Sequence, residues 1–247
     1  TVSSWRAYMS RLLNKVAIVT GSSSGIGKAI AFRFGEEGAK VVVTARRKSL
    51  CEQTAKQICQ KRGEAFVVQA DVSHENQVEL LFDKTIQQYG RVDIVVNNAG
   101  VFGGRRIAET TTKAFDEVMN VNLRGTFFCC RAAFKQMKKQ GGGTIINISS
   151  VAGVQAWSGT GTYSASKHGV MALTRALADE GKPYNIRVSA ICPGGVADEL
   201  VDATEEEILR SEKISPFDIA ETAVYLATLG RFAVVHQIVV DRLGADW

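Results

Sequence analysis

The amino-acid sequence predicts an α/β fold, a three-layer doubly wound parallel sheet of about seven strands with helices on both faces. Three observations predict it. The chain has 247 residues, of which 45% are hydrophobic and 22% charged, enough for one sizeable core. Strand-sized apolar runs alternate along it with longer segments of helical spacing. The first apolar run leads directly into a glycine-rich turn and then into a helix.

The strands are predicted where short apolar runs lie between glycine or polar residues. They span residues 15–20, 40–44, 65–69, 92–97, 143–149, 186–191 and 237–240. Helices occupy the intervals, such as 28–37 after the first strand and 162–179 after the fifth. Because crossovers between parallel strands are right-handed, helices cover both faces and ligands bind at the carboxyl ends of the strands.

One interval breaks the alternation of strands and helices. It lies between Pro193 and Pro216, where Thr204 and Glu207 have capping-box spacing, which predicts a short helix reaching about Lys213. Because this interval follows the carboxyl end of a strand, we expect a substrate lid at about 194–215.

The chain start is predicted to be an N-terminal tail, residues 1–14, followed by a single domain over residues 15–247. The tail has no basic stretch followed by an apolar core and a small-residue cleavage site, so we expect no secretory signal. Met9 is a candidate for the original first residue, and a short arm packed on a neighbouring subunit is the alternative reading of the tail.

The composition excludes several classes of protein. The 30 Lys and Arg exceed the 25 Asp and Glu by a net charge of +5, but bases and acids are interspersed, which does not favour a nucleic-acid partner. No run approaches the roughly 20 apolar residues of a membrane span. The five cysteines form no C-x-x-C pair and the histidines are scattered, so we expect neither a disulfide framework nor a metal site. A cytoplasmic location fits best.

The turn after the first predicted strand spans residues 21–27 and reads G-S-S-S-G-I-G. Glycines let a backbone approach a pyrophosphate closely, and the free N–H groups and positive dipole end of the following helix bind its charge. A merely tight turn is the alternative, but the position after the first strand favours a dinucleotide site.

The end of the second strand indicates which dinucleotide is preferred. NAD sites carry a carboxylate about 20 residues after the glycine turn, which accepts hydrogen bonds from the ribose hydroxyls. Here Arg46 and Arg47 follow Ala45 instead, and guanidinium groups match a 2′-phosphate. NADP(H) is therefore favoured over NAD(H). The alternative is that both arginines open a solvated helix.

Two further strand ends face the same crevice. Asp71 follows the third strand, where a carboxylate accepts an adenine amino group while Val72 packs on the ring; Asp71 alternatively forms a turn or caps the next helix. After the fourth strand, Asn98, Ala99 and Gly100 supply a backbone that can pass close to a cofactor.

Tyr163 and Lys167 lie four residues apart in a predicted helix, so their side chains share one face. Lowering a tyrosine pKa from about 10 toward neutrality requires roughly 4 kcal/mol. An ammonium about 4 Å away in an effective dielectric near 20 supplies roughly that much. We therefore expect Lys167 to activate Tyr163 as a proton donor or acceptor.

Ser150 lies at the end of the fifth strand, 13 residues before Tyr163, at the edge where the fold binds ligands. A hydroxyl there can hydrogen-bond a substrate oxygen as negative charge develops on it. Ser149 is the competing candidate, with a structural role expected.

Together these motifs resemble the classical short-chain dehydrogenase/reductase family, over nearly the whole chain from Lys15 to about Val240. The glycine motif of the family falls on residues 20–27, its N-N-A-G on 97–100 and its Y-x-x-x-K on 163–167. Its catalytic serine falls on Ser150 and its catalytic asparagine on Asn122. The resemblance implies a Rossmann-type fold.

The resemblance also implies an oxidoreductase that transfers a hydride between nicotinamide and a carbonyl or secondary alcohol substrate, a 3-oxoacyl thioester being one candidate. It implies that Tyr163 exchanges a proton with the substrate oxygen, which Ser150 polarises. Lys167 then lowers the tyrosine pKa and binds the nicotinamide ribose, and Asn122 holds a water that relays protons. A small-molecule partner, no metal and a homodimer or homotetramer are implied.

The residues assigned to the cofactor lie at the carboxyl ends of the strands and in the catalytic helix. They are Gly21, Ser23, Ser24, Gly25, Ile26, Gly27, Ala45, Arg46, Arg47, Asp71, Val72, Asn98, Ala99, Gly100, Tyr163, Lys167, Pro193, Gly194 and Val196. The chain departs from the family at two of the positions around them. Ser24 stands where many NADP-using members have a basic residue, and Asp198 where a threonine usually contacts the nicotinamide carboxamide.

Two other functions stay open at this stage: a catalytically silent dinucleotide-binding sensor or structural partner, and an alcohol dehydrogenase of the same family that prefers NAD(H). A set of apolar residues near the strand ends could line a substrate pocket, the alternative being ordinary core. They are Phe102, Val151, Trp157, Val196 and Leu200.

Overall fold

The strands of the computed structural model follow the predicted alternation closely. The structure describes residues 10–230 and 232–244. Its strands are β1 (Val16–Thr20), β2 (Lys40–Thr44), β3 (Glu64–Val67), β4 (Ile94–Asn97), β5 (Gly143–Ile148), β6 (Ile186–Pro193) and β7 (Gln237–Val240). All are parallel to their neighbours and lie in the order β3-β2-β1-β4-β5-β6-β7. The predicted doubly wound fold is confirmed.

Helices connect the strands across both faces of the sheet. They are α1 (Gly25–Glu36), α2 (Lys48–Gln60), α3 (Glu75–Tyr89), α4 (Thr112–Val118), α5 (Thr126–Gln140), α6 (Gly161–Gly181), α7 (Glu205–Arg210) and α8 (Pro216–Thr228). A π-helical segment, Met119–Gly125, joins α4 to α5 without a break. Among the residues that the structure describes, no helix combines the length and the apolar character that crossing a bilayer demands.

Alternate residues of the central strand β1 supply the cores on both faces of the sheet. Ala17 and Val19 pack with Phe34 of α1 on one face, and Ile18 packs with Leu81 of α3 on the other. Because side chains alternate along a strand, a strand covered on both faces must be apolar throughout. This is why short continuous apolar runs marked the strands so well.

The predicted tail is partly wrong at its end. Leu12 is only 1% exposed, and its N–H donates to the Glu37 carbonyl oxygen at 2.9 Å. Arg11 Nη2 lies 2.6 Å from Glu37 Oε1. Residues 10–14 therefore pack on the end of α1 as part of the domain, because an apolar side chain and an ion pair hold them there. Residues 1–9, including Met9, lie outside the described residues.

The end of β6 also differs from its prediction. The strand continues to Pro193 because it pairs with β7 as far as the Pro193 and Val240 positions. A proline fits at this place because the strand ends there and needs no further N–H donor on that side. The loop leaves the sheet at Gly194, on the same carboxyl edge as the glycine turn that follows β1.

Candidate active site

The turn between β1 and α1 packs against the backbone that follows β4. Gly21 has φ +68°, a left-handed conformation in which glycine carries no steric cost. A Cβ at Gly21 would lie 2.9 Å from Ala99 Cα, so the two backbones approach as closely as their atoms allow. Asn98 Nδ2 donates to the Thr20 carbonyl oxygen at 2.9 Å, which fixes the turn to the neighbouring strand end.

A cleft of about 490 Å³ opens beside this turn, at the carboxyl edge of β1 to β4. Its walls include the predicted cofactor residues of the glycine turn and of the ends of β2, β3 and β4. The lining residues are Gly21, Ser23, Ser24, Gly25, Ile26, Ala45, Arg46, Arg47, Ala70, Asp71, Val72, Asn98, Ala99, Gly100, Val101, Val121, Asp198 and Glu199.

Gly27, assigned to the cofactor from its motif, does not line this cleft. A Cβ there would run into the Gly21 carbonyl group and the Asn98 side chain, so its glycine serves close packing behind the turn. Sequence reasoning missed Ala70, Val101 and Val121 as lining residues. Ala70 directly precedes Asp71, which was a usable signal, whereas Val121 enters the cleft from the π-helical segment and carried none.

Arg47 reaches back from the start of α2 across the glycine turn. Its Nη2 lies 3.4 Å from Ser23 Oγ and 3.2 Å from Ser24 Oγ. The guanidinium group thus lies beside the hydroxyl of Ser24. Arg46 is exposed beside it, and both arginines line the cleft. The open end of the cleft therefore holds two fork-shaped donors of the kind that binds phosphate bidentately.

Asp71 forms a turn, as the alternative interpretation of its position predicted, and it also lines the cleft. Its Oδ1 accepts hydrogen bonds from Ser73 N at 3.0 Å and Ser73 Oγ at 2.7 Å, which makes the turn before α3. Although burial opposes it, these bonds and the charges of Arg46 and His74 lower the pKa of Asp71 below its ordinary value. The residue also lines the cleft, so a turn-forming carboxylate is presented there in its charged form.

A second cavity, of about 280 Å³, adjoins the cleft at the carboxyl edge of β4 to β6. Ser150, Tyr163 and Lys167 all line it, with Pro193, Gly194 and Val196 on the β6 side. The two spaces share Ile26, Asn98, Gly100, Val101 and Asp198 in their walls. The structure therefore brings the three predicted catalytic side chains together beside the cleft that the glycine turn borders.

The two serines after β5 have different surroundings. Ser149 is buried, and its hydroxyl donates to the Lys167 carbonyl oxygen at 3.2 Å. Ser150 caps the short turn that follows, accepting from Ala152 N at 3.1 Å, and its side chain lines the smaller cavity. Both serines contribute to the wall of the smaller cavity, but the Ser149 hydroxyl is bonded to α6, whereas Ser150 is the less buried of the two.

Lys167 is buried, and its Nζ donates to the Ile148 carbonyl oxygen at 2.8 Å. Burial lowers the pKa of this ammonium group to about 8, because removal from water disfavours the charged form. Its Nζ lies 5.7 Å from the centroid of the Tyr163 ring. The two side chains therefore share the cavity, as their spacing on α6 predicted.

The pKa of Tyr163 departs from the expectation that Lys167 lowers it. Burial raises the pKa of this phenol above its ordinary value, the Ser150 hydroxyl opposes the rise, and the negative charge of Asp198 adds to it. The physical reason is that removal from water disfavours the charged phenolate, and the negative charge of Asp198 acts in the same direction. The surroundings of Tyr163 therefore favour the neutral phenol over the phenolate.

Asn122 lies in the π-helical segment, and its side chain is 1% exposed. Its Oδ1 accepts from Val101 N at 2.8 Å, and its Nδ2 donates to Val101 O at 2.9 Å and to Ser166 Oγ at 3.1 Å. Together these bonds link Val101 in the wall of the cleft to Ser166 of α6 through Asn122. A π-turn of this kind is frequent at functional sites, and here it aims an amide at the loop after β4.

Asp198 enters the site from the short helical turn Asp198–Leu200. Its Oδ1 accepts a hydrogen bond from Ile26 N at 2.7 Å, and a Cβ at Gly25 would collide with this carboxylate. Although part of Asp198 meets solvent, crowding by protein atoms and the neighbouring charge of Glu199 raise the pKa of the carboxylate, and the Ile26 bond opposes the rise.

The residues present fit a dinucleotide. The carboxylate oxygen of Asp198 accepts a hydrogen bond from the Ile26 N–H in the first turn of α1. A pyrophosphate oxygen is expected to bind at such an N–H. Left-handed glycines at Gly21 and Gly25 keep side chains away from that place. Arg46 and Arg47 provide cations at the far end, and the buried Lys167 provides one beside Tyr163.

A larger cavity, of about 700 Å³, lies at the opposite, amino-terminal edge of the sheet, with Lys15, Asp93 and Arg187 in its wall. None of the predicted catalytic side chains lines it. In parallel α/β sheets ligands bind beyond the carboxyl ends of the strands, so the smaller pair of cavities is the candidate active site.

Comparison with known proteins identifies the family. The sequence pattern of the short chain dehydrogenase family matches residues 15–208. The NADP-dependent (R)-specific alcohol dehydrogenase of Lentilactobacillus kefiri is 41% identical over 244 residues, covering 94% of this chain and 96% of that protein. The chain therefore belongs to the short chain dehydrogenase family and is an oxidoreductase of that family, as its motifs predicted.

Solved structures agree with this assignment. An actinorhodin polyketide ketoreductase variant crystallised with NADPH is 34% identical, with a TM-score of 0.85 over 93% of this chain and 96% of that one. A metagenomic short-chain oxidoreductase in complex with NADP is 32% identical, with a TM-score of 0.83 over 95% and 99% of the two chains.

Proposed function

We propose that the protein is an NADP(H)-dependent carbonyl reductase or alcohol dehydrogenase, acting on a small carbonyl compound or secondary alcohol. The observation that carries the proposal is the shared cavity of Ser150, Tyr163 and Lys167, which adjoins a cleft with arginines at one end and a glycine turn along its side. The NADP-dependent relative and the NADP-bound structural neighbours support the same cofactor.

The proposed roles follow from where each group lies. Ser150 donates a hydrogen bond to the substrate oxygen as that oxygen gains negative charge. Tyr163 gives a proton to this oxygen in the reductive direction and removes one in the oxidative direction. The nicotinamide ring of a bound cofactor supplies or accepts the hydride.

Lys167 and Asn122 position Ser150 and Tyr163 and set the charge around them. Lys167 keeps a positive charge beside Tyr163 and presents donors to ribose hydroxyls, with one of its three N–H groups already held by Ile148. Asn122 joins the cleft wall to α6, and both N–H donors of its amide are taken, by Val101 O and Ser166 Oγ. We therefore propose Asn122 as a positioning residue, whose side chain has no donor left for a relay water.

The substrate mouth is aromatic on one side. Phe102 is 71% exposed, and its ring meets the Tyr163 ring edge to face with centroids 5.1 Å apart. Val196 joins it in the cavity wall, whereas Val151, Trp157 and Leu200, predicted alongside them, are absent from that wall. A carbonyl compound with an apolar substituent fits this mouth, and a 3-oxoacyl thioester stays within the proposed class.

The surface and the thiols support two further proposals. Phe115 on α4 and Phe127 on α5 are 43% and 42% exposed, which favours a homodimer or homotetramer through these helices. All five cysteines are free, which favours a reducing compartment such as the cytoplasm.

A cofactor-paired substrate screen tests the function. Purified protein is assayed with NADPH and NADH against ketones, aldehydes and 3-oxoacyl thioesters, and with NADP⁺ and NAD⁺ against secondary alcohols. We expect turnover with NADPH and an apolar ketone. Dinucleotide binding without turnover across the panel would instead support the silent sensor.

Cofactor choice has its own variant. Arg46→Ala removes an exposed guanidinium that faces the cleft, so we expect about tenfold weaker NADPH binding and a change of less than about twofold for NADH. Titration of protein fluorescence measures both, with the exposed Arg105→Ala as the matched control. Equal losses for the two dinucleotides would contradict a 2′-phosphate contact.

A further inference from the structure

The carboxylate of Asp198 occupies the place on α1 that a phosphate oxygen needs. It accepts from Ile26 N at 2.7 Å, and it packs so closely on Gly25 that a methyl group there would collide with it. The N–H groups of a first helical turn are few and point in one direction. A phosphate oxygen and the Asp198 oxygen therefore compete for the same donor.

A second, independent contact joins the segment that contains Asp198 to α1. Lys28 lies two residues after Ile26 on α1 and is 7% exposed. Its Nζ lies 2.5 Å from Asp202 Oδ1 and 2.7 Å from Oδ2. The loop thus places one carboxylate on the helix N-terminus and another on a buried ammonium, four residues apart. Both contacts join parts of the chain more than 170 residues apart in sequence.

Two contacts join the beginning of this segment to its end. Ala197 N donates to the Ile214 carbonyl oxygen at 2.9 Å, and Lys213 Nζ lies 2.6 Å from Glu199 Oε1. Residues 197–214 therefore form one closed loop, and the two carboxylates that touch α1 are its points of attachment to the cofactor side. Movement of Asp198 does not require the loop to detach from the β6 side.

We propose that Asp198 is a built-in competitor for the dinucleotide: its carboxylate holds the anion position on Ile26, and the cofactor binds only when that carboxylate leaves. The inference rests on the proposed function for the identity of the ligand. An uncharged side chain at this position would neither compete for an anion position nor repel a pyrophosphate.

The same displacement affects the catalytic side chain. The negative charge of Asp198 is among the causes that raise the pKa of Tyr163. When the carboxylate leaves Ile26 and swings away from the cleft, Tyr163 loses that repulsion. In the ligand-free protein, Asp198 thus blocks the anion position on Ile26 and makes Tyr163 a weaker acid. Cofactor binding removes both effects.

Binding measured by calorimetry at fixed pH and ionic strength tests the proposal, with NADP⁺ and inorganic pyrophosphate as separate probes. Asp198→Asn keeps the shape and loses the charge, and Asp198→Ala removes the contact. We expect both variants to bind each probe about tenfold more tightly than wild type. Asp202→Asn, which loosens only the second attachment, should bind about twofold more tightly.

Glu205→Gln is the matched control, since it removes one negative charge from the exposed first turn of α7 without touching the cleft. It should change either affinity by less than about twofold. A ligand-free readout accompanies the titrations: amide hydrogen exchange at Ile26 should become severalfold faster in Asp198→Ala, because the N–H loses its acceptor.

Affinities that stay equal or fall in both Asp198 variants, or an unchanged exchange rate at Ile26, would overturn the proposal. Failure of the proposed function has a different signature. In that case NADP⁺ binds to no variant, while pyrophosphate affinity and Ile26 exchange still respond to Asp198. If neither probe binds to any variant, both the competitor and the cofactor assignment fall.

Discussion

The loops after β1 and after β6 begin alike and behave differently. Each leaves a buried strand at a glycine, Gly21 or Gly194, and each borders the same site. The first returns to a helix within four residues, and the Asn98 side chain after β4 holds it through a hydrogen bond to the Thr20 carbonyl oxygen. The second runs for more than twenty residues before α8 and is held on α1 by two carboxylates.

The difference shows which kinds of contact a sequence exposes. The first loop obeys local rules: glycine at left-handed positions, a helix start, close packing on Ala99. The second depends on ion pairs and a hydrogen bond between distant segments, and no local pattern announces which carboxylate meets which donor. We therefore expect substitutions of the residues that line the smaller cavity to have large effects, and substitutions in the loop after β6 to have smaller ones.

The largest effect expected is on chemistry. Tyr163→Phe removes the proton donor and leaves both loops intact, so we expect kcat to fall by at least about 10³-fold while dinucleotide affinity changes less than about twofold. Steady-state kinetics and fluorescence titration measure the two quantities. Tyr184→Phe, which removes a hydroxyl outside the site, is the control, and wild-type turnover in Tyr163→Phe would remove that residue from its role.

The next effect concerns Lys167, whose pKa of about 8 lies below that of an unfolded lysine, about 10.4. Between these two values the unfolded chain binds more protons than the folded chain. Wild-type stability should therefore rise with pH relative to Lys167→Met, by about 2 to 3 kcal/mol across that interval. Below about pH 8 the difference between the two proteins should be constant.

Urea unfolding of the ligand-free proteins between pH 7 and 10.5 measures this difference. Lys135→Met, on the exposed surface of α5, is the control, and its stability curve should run parallel to that of wild type. Parallel curves for Lys167→Met as well would mean that the ammonium group is not buried in solution.

The smallest expected effects are on stability, and they distinguish the loop after β6 from the core. Ser215 caps α8 by accepting from Phe217 N at 3.2 Å, and α8 buries Ile219 completely. Thr204 caps the exposed α7 in the same way, accepting from Glu207 N at 3.3 Å. We expect Ser215→Ala to lower the free energy of global unfolding by about 1 kcal/mol and Thr204→Ala to leave it unchanged.

Denaturant unfolding measures the global value, and hydrogen exchange measures the local one. In Thr204→Ala the amides of residues 205–210 should exchange about threefold to fivefold faster with no change elsewhere. A global loss of stability in Thr204→Ala would show that the loop is part of the cooperative core, and the contrast between the two loops would then disappear.

Most of the fold could be predicted from the sequence because the inner strands β1, β2, β4, β5 and β6 are buried on both faces and are therefore continuous apolar runs. Errors occurred where pairing or packing with a distant segment decides the boundary. Leu12 belongs to the core because it meets Glu37 at the end of α1, and β6 continues to Pro193 because β7 lies beside it.

The site was predictable to a similar extent. Motif spacing brings Ser150, Tyr163 and Lys167 to one cavity, because a strand end and an i,i+4 pair on a helix are local geometry. Their roles remain proposals. The direction of the Tyr163 pKa could not be predicted, since desolvation sums over every surrounding atom and the charge that opposes Lys167 comes from Asp198 in a distant segment.

The wide turn Met119–Gly125 has a consequence for how this site could change over time. A π-turn is an α-helix with one residue too many, and each residue advances an α-helix by about 100°. Deleting one residue there would restore a regular helix and swing Asn122 away from Val101. Insertion or deletion of a single codon is thus enough to create or remove the contact by which the Asn122 amide links the cleft to α6.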